Sequence, residues 1–211
     1  MKKIIMVLFV IVLMITGNST CNHQYEIPVI QQEFTLVLPT KNKPLDVRIY
    51  NAYLLVGERL KLDNLITISA QSFAKAATIV AYCESDFNSK SIKLDQQGIA
   101  QITKDTRTAC NIPDQLNLTI EDQVYYHEQF LRKCSTKALR AIKLSVDFHA
   151  LNFAPSRTFS DTLSKVSNKW LAALDFTKDN IITREDFEIF QAKKIKQSTL
   201  FIRDLYNDKT L

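Results

Sequence analysis

The sequence predicts an all-α fold, and three observations lead to that prediction. Apolar residues recur at steps of three and four from Leu45 onward, as they do on helices that bury one face. The chain contains only 3 glycines, whereas β-rich folds need many tight turns. Pro, Gly and Ser do not gather into a linker, and no internal repeat is present. We therefore expect one helical domain with a small C-terminal appendage.

The first 20 residues have the pattern of a bacterial signal peptide. Lys2 and Lys3 precede the apolar run from Ile4 to Ile15, and small or polar residues follow as far as Thr20. An apolar run of about a dozen residues is shorter than the ~20 that a membrane-spanning helix requires. This pattern predicts an exported protein of the periplasm, cell envelope or extracellular space. Cleavage before Cys21 would leave a cysteine for lipid attachment and membrane association, but cleavage by an ordinary signal peptidase fits equally well.

Residues 21–44 hold three prolines around one short β-like run, so we predict an irregular N-terminal arm. The helical pattern then begins, and a break near residues 155–160 separates a main domain (45–157) from a C-terminal segment (158–211). Helices are predicted at residues 45–61, 69–84, 120–134, 136–149, 160–174 and 184–206.

Composition excludes several classes of function. The net charge is +5, and removal of Lys2 and Lys3 leaves 25 basic against 22 acidic side chains, or +3, without a dense basic cluster. A nucleic-acid partner is therefore not indicated. The three cysteines after Cys21 have no C-x-x-C spacing, and His127 and His149 have no partner at metal-ligand spacing. Zinc chemistry is accordingly not predicted.

Glu84 is the candidate catalytic residue. On a helix that ends near residue 84, the apolar stripe passes through Phe73, Ala77 and Val80 and reaches Glu84. Burial and the negative end of the helix dipole both favour the neutral carboxylic acid, so a raised pKa is expected. A general acid for glycosidic cleavage needs that property. The alternative is a solvated carboxylate at an ordinary helix end.

Three segments follow one another in the order of a known sequence pattern. They are Glu84-Ser85-Asp86-Phe87-Asn88, Gly98-Ile99-Ala100-Gln101-Ile102 and Leu151-Asn152-Phe153-Ala154-Pro155-Ser156. Together they resemble the lytic transglycosylase family of the goose-type lysozyme superfamily. The chain lacks the Gly-Ala pair that the family carries before the second motif, and Leu151 replaces a tyrosine that the family places near its catalytic glutamate.

The resemblance implies a lysozyme-like helical domain with a saccharide groove. Glu84 would protonate the β-1,4 glycosidic oxygen between N-acetylmuramic acid (MurNAc) and N-acetylglucosamine (GlcNAc), and then deprotonate the C6 hydroxyl of MurNAc to form a 1,6-anhydro product. The substrate would be peptidoglycan glycan strands, and no cofactor is required. Ser85 would order the loop, Gln101 would donate to a sugar or acetamide oxygen, and Gly98 would let the backbone approach the substrate. Asn152 is the fourth candidate for substrate binding.

Two alternatives remain open from the sequence. One is a lysozyme-type hydrolase on the same fold. The other is a catalytically inactive glycan-binding or scaffolding protein, which the missing Gly-Ala pair and Leu151 suggest.

Residues 175–186 resemble an EF-hand loop. Side-chain oxygens lie at positions 1, 3, 5, 9 and 12 of the loop, and position 7 offers a main-chain carbonyl. The candidate calcium ligands are Asp175, Thr177, Asp179, Ile181 and Asp186. Position 6 is Asn180 rather than Gly, although Asn tolerates a left-handed backbone. The alternative is a helix-turn-helix corner in which Thr183 and Asp186 form a capping box.

Overall fold

The computed structural model describes residues 43–208, apart from residues 94, 158–159 and 168. These described residues belong to one unit that extends from Pro39 to Leu211. The predicted signal peptide and residues 21–42 of the predicted arm lie outside them. None of the helices within the described part of the chain has the length and apolar character needed to span a membrane.

The fold consists mainly of α-helices, so the all-α prediction is confirmed at the level of fold class. In chain order the helices are α1 (Leu45–Leu62), α2 (Ala70–Ser85), α3 (Lys104–Ala109), α4 (Ile120–Lys133), α5 (Thr136–Arg140), α6 (Ser145–Phe153), α7 (Lys169–Ala172), α8 (Arg184–Ile195) and α9 (Leu200–Asn207). Short 3-10 turns occur at Gln115–Asn117 and Pro155–Arg157.

Two small antiparallel ladders accompany the helices. Strand β1 (Ile92–Lys93) pairs with β2 (Gln96–Gln97), and Ile92 lies opposite Gln97. Strand β3 (Ser164–Lys165) pairs with β4 (Ile181–Ile182), and Ser164 lies opposite Ile182. The first ladder follows α2 and forms part of the candidate site described below.

Helices α1, α2 and α4 confirm the predictions for 45–61, 69–84 and 120–134. Helix α2 begins where Ser69 accepts a hydrogen bond from the Ser72 amide. A capping box between Thr119 and Asp122 starts α4. These side chains bond backbone N–H groups that otherwise have no partner at a helix start, so the sequence marks the boundaries locally.

Two predicted long helices are wrong because each is broken by a local cap. The prediction 136–149 becomes α5 and α6, since the Asp147 carboxylate accepts from the amides of Lys143 and Leu144 and starts a new helix. The prediction 184–206 becomes α8 and α9, because Thr199 caps α9 and the Ser198 hydroxyl bonds the Ile195 carbonyl. Side-chain bonds of this kind compete with continued helix.

The predicted helix at 160–174 is also wrong. Residues 164–165 instead form β3 on β4, and only the short α7 is helical in this region. The pairing partner lies in the 175–186 loop, so a contact made outside the local sequence overrides helix propensity. Helix α3 and the β1–β2 ladder were not predicted.

Helix α2 lies at the centre of the fold and packs against α1, α6, α8 and α9. Its residues from Ser72 to Ala81 are all buried. Ile195 and Ile202 from the C-terminal helices join the same hydrophobic core. A smaller cluster links α6 to the C-terminal segment through Val146, Ala150 and Phe187. The last turn of α2 is therefore rigidly held, and it carries Glu84.

Candidate active site

Glu84 lines an open pocket of about 350 Å³ at the end of α2. Gln101 and Asn152 line the same pocket. A neighbouring pocket of about 170 Å³ shares Gln96, Gln101 and Asn152 with it, so the two form one groove. The Glu84 side chain is 16% exposed. A ligand in the groove can therefore reach a carboxyl group that is otherwise buried.

A chain of hydrogen bonds runs from Glu84 into the protein interior. His149 Nε2 lies 2.8 Å from Glu84 Oε1, and His149 Nδ1 lies 3.1 Å from Gln191 Nε2. The Ser145 hydroxyl donates to Gln191 Oε1 at 2.8 Å. The His149 ring is buried and stacks on Phe187 with ring centroids 4.3 Å apart. Glu84 thus contacts a buried imidazole whose own position is fixed by neighbouring side chains.

The expected raised pKa of Glu84 is wrong, because its pKa is lowered. Burial raises the pKa, but the hydrogen bond and charge of His149, with the charges of Lys93 and Lys194, outweigh burial. Lys93 Nζ also donates to the Glu84 carbonyl oxygen. This contact places a cation at the helix end, where the dipole alone would disfavour a carboxylate. Lys194 in turn forms an ion pair with Asp86 at 3.0 Å.

Sequence reasoning missed His149 as a functional residue. One signal was available: His149 and Asn152 are three residues apart on α6, and residues at that spacing share a helix face. Asn152 was already assigned to the groove by its motif. The face of α6 that carries Asn152 therefore also carries His149, the hydrogen-bond partner of Glu84.

The helix that carries Glu84 ends in an uncommon backbone conformation. Asp86 and Phe87 have φ angles of 53° and 61°, in the left-handed region. A bulky residue there is strained, and such strain concentrates at functional sites. Phe87 is buried, and its ring packs edge-on against Tyr82 at 5.4 Å. Packing therefore holds the turn that directs the chain away from α2.

Residues 98–101, here called the Gly98 turn, bring Gln101 into the lining of the groove. The buried Ser85 hydroxyl bonds the Ala81 carbonyl at 2.9 Å and the Ile99 carbonyl at 3.1 Å. Ser85 therefore ties the end of α2 to this turn. Its hydroxyl contacts backbone rather than the groove.

Gly98 is required by a close approach of Gln123. Gly98 has a φ of 76°, and a Cβ at this position would lie 2.7 Å from Gln123 Oε1. The buried Gln123 accepts from the Ile99 amide at 2.9 Å and donates to the carbonyls of Ser89 and Gln115. Gly98 thus faces α4, and Gln123 is a second positioning residue that the motif did not indicate.

Gln101 lines the groove although the residue is only 4% exposed. Its amide nitrogen donates to the Gly98 carbonyl at 2.6 Å and to the Ser91 carbonyl at 3.3 Å. Its side-chain oxygen is buried and has no hydrogen-bond partner among the described residues. The nitrogen that we expected to donate to a sugar is therefore engaged within the protein, and the group left unpaired is an acceptor.

Asn152 connects the Gly98 turn to a buried histidine. Its amide nitrogen donates to the Ala100 carbonyl at 2.9 Å, and its oxygen lies 3.0 Å from His127 Nε2. The other ring nitrogen of His127 lies 2.8 Å from the Tyr53 hydroxyl. Burial lowers the pKa of His127 to about 4, although Asn152 and the nearby Glu84 oppose that shift. Leu151, beside Asn152, is fully buried in the core and does not line the groove.

The structure brings the 175–186 loop together around Asp175 and Asp186. The Asp175 carboxylate accepts from the amides of Asp179 and Asn180, at 3.2 Å and 3.0 Å. Asn180 has a φ of 64°, the left-handed conformation expected at position 6. The predicted capping box between Thr183 and Asp186 is present.

Both oxygens of Asp186 already have partners. One accepts from the Phe176 amide, the Thr177 amide and the Thr177 hydroxyl, and the other accepts from the Thr183 amide and hydroxyl. These hydrogen bonds lower the pKa of Asp186 despite its burial. The hydrogen bonds of the capping alternative are therefore present, and calcium coordination by Asp186 would require some of these N–H and O–H groups to be released. Across the described ranges, no group of three or more His, Cys, Asp or Glu side chains is arranged to hold a metal ion.

Calcium binding by the loop stays a prediction that melting can test. A ligand that binds the folded state raises its melting temperature. If the loop binds calcium, the protein should therefore melt at a higher temperature in calcium than in chelator, and Asp175→Asn should lose that difference. Identical melting temperatures in calcium and in chelator would reject calcium binding.

A further pocket of about 440 Å³ is lined by Lys75, Tyr206 and Asp208 among others. Lys75 and Asp208 pair across it at 2.6 Å. None of the candidate substrate-binding residues lines it, whereas Ser145 and Gln191 do. The groove beside Glu84 is therefore the better candidate for an active site.

Comparison with known proteins returned no matching family model, no matching curated protein and no matching solved structure.

Proposed function

We propose that this protein is an exported peptidoglycan lytic transglycosylase that cleaves the MurNAc–GlcNAc β-1,4 bond. The observation that carries the proposal is the convergence of three distant segments on one groove. Glu84, Gln101 and Asn152 come from separate motifs, and all three line the same pocket. A chance motif match gives no reason for such residues to meet at the end of one buried helix.

The reaction would use Glu84 twice. As a carboxylic acid it gives its proton to the glycosidic oxygen while the bond from that oxygen to MurNAc C1 breaks. As a carboxylate it then takes the proton of the MurNAc C6 hydroxyl while the C6 oxygen forms a bond to C1 of the same sugar. No water is consumed, and the carboxyl group ends in its starting protonation state.

The groove favours this route over hydrolysis. Hydrolytic glycosidases normally place two carboxyl groups about the scissile bond. Glu84 is the only acidic side chain among the described residues that line the two pockets of the groove. An intramolecular hydroxyl as nucleophile makes the second carboxylate unnecessary.

The test is digestion of purified peptidoglycan by the mature protein, followed by mass analysis of the soluble fragments. We expect 1,6-anhydro fragments, which are lighter by one water than the corresponding hydrolysis products. Fragments with free reducing ends would instead identify a lysozyme-type hydrolase. Binding to peptidoglycan without release of fragments would identify a glycan-binding or scaffolding protein, and the proposed activity would be rejected.

A further inference from the structure

We propose that His149 is a positioning residue for the acid and base steps of this reaction, with its ring proton fixed on Nε2 by Gln191 and Ser145. The inference deepens the proposed function and rests on it. His149 is not itself a catalytic residue, because its side chain is only 1% exposed while that of Glu84 is 16% exposed. His149 also lines the pocket, but the more exposed Glu84 carboxyl group is the one that a glycan in the groove meets.

The hydrogen-bond chain defines where the ring proton lies. The Ser145 hydroxyl donates to Gln191 Oε1, so the amide nitrogen of Gln191 is the group that faces His149 Nδ1. An amide nitrogen can only donate, and Nδ1 must therefore accept. In the neutral ring the proton then resides on Nε2, 2.8 Å from Glu84 Oε1. The stacked Phe187 ring keeps the imidazole in this plane.

An Nε2–H that points at Glu84 stabilises the carboxylate form. Lys93 from the β1–β2 ladder and Lys194 from α8 act in the same direction, whereas burial opposes them. His127 on α4 and Cys83 on α2 also interact electrostatically with Glu84. In the proposed reaction the carboxylate is the form that deprotonates the C6 hydroxyl. His149 therefore supports the base step directly and restricts the acid step to the fraction of Glu84 that is protonated.

His149→Phe is the principal test because it keeps an aromatic ring against Phe187 and removes the Nε2 donor. The pKa of Glu84, followed by carbon NMR of its carboxyl group without substrate, should rise by about one unit. The alkaline limb of kcat/KM for peptidoglycan release should move to higher pH by the same amount. Identical titration of Glu84 in both proteins would overturn the proposal.

Ser145→Ala provides a second, milder variant. Without the hydroxyl, the Gln191 amide is free to turn its oxygen toward Nδ1, which favours the other ring tautomer. Nitrogen NMR of His149 should show a protonated Nε2 in the parent protein and a greater share of protonated Nδ1 in the variant. The Glu84 pKa should rise as well, by less than in His149→Phe. An unchanged tautomer and an unchanged Glu84 pKa would count against the proposal that Gln191 and Ser145 fix the ring proton on Nε2.

The two readouts separate this inference from the proposed function. A shifted Glu84 titration in a protein that releases no glycan would retain the positioning role and reject the activity. Glycan release with unshifted titration would retain the activity and reject the positioning role.

Discussion

Replacement of Glu84 by Gln is expected to reduce the rate of glycan release by about 10²- to 10⁴-fold, the usual contribution of a general acid or base. The amide is nearly the same size as the carboxyl group, and its oxygen can still accept from His149 Nε2. It has no proton to give to a glycosidic oxygen and cannot remove one from a hydroxyl. The loss should fall on kcat, since the shape of the groove is retained. Fragment release timed by mass analysis measures it.

Glu58→Gln is the matched control for this prediction. Glu58 is exposed on α1, so the variant undergoes the same change of charge away from the groove. Its activity should equal that of the parent protein. Both variants should also keep the parent melting temperature to within a few degrees. Full activity in Glu84→Gln would remove Glu84 from the mechanism.

Acidification is expected to destabilise the protein through His127. Its pKa is about 4 in the folded protein, against 6.5 for an ordinary histidine. Between these values the unfolded chain binds a proton that the buried ring rejects, so the free energy of unfolding falls as pH falls. The contribution is fully present above pH 6.5 and is lost by about pH 4. Its size over the whole interval is about 3 kcal/mol.

Urea unfolding measured at several pH values between 4 and 7 tests this prediction with His127→Gln. The amide of Gln can donate to Asn152 without titrating, so this variant should lose stability less steeply over that range. Carboxylates such as Glu84 and Asp186 contribute a slope of their own at the acidic end. That slope is common to both proteins, and the difference between the two curves therefore reports His127. Parallel curves would show that His127 takes up a proton equally in both states.

Much of the helical framework could be predicted because its signals are local. Helices α1, α2 and α4 combine an apolar face with a cap or a proline at the start, and both features lie within a few residues of the boundary. The prediction of a helix at residues 160–174 failed because the signal for the observed structure is not local. Its strand exists only through pairing with residues 181–182, and no pattern within the segment itself records that partner.

The site was predictable only as far as its motifs reached. The motifs selected Glu84, Gln101 and Asn152, which line one pocket, but the direction of the Glu84 pKa shift was not predicted. Burial and the helix dipole can be inferred from one helix, whereas His149 lies 65 residues away in the chain. Gln191 lies a further 42 residues beyond His149. Side-chain partners so far apart in sequence become visible only once the helices are packed.

The Gly98 turn has a consequence for how tightly a ligand can bind in the groove. Side chains from three helices hold its backbone: Ser85 bonds the Ile99 carbonyl, Gln123 bonds the Ile99 amide and Asn152 bonds the Ala100 carbonyl. The conformational entropy of this turn is therefore lost when the protein folds and not when a ligand arrives. Binding to a preorganised Gln101 keeps more of its interaction energy as affinity. If the groove binds glycan as proposed, a variant that loosens any one of the three helices at this point should bind it more weakly, even though the residues that line the groove are unchanged.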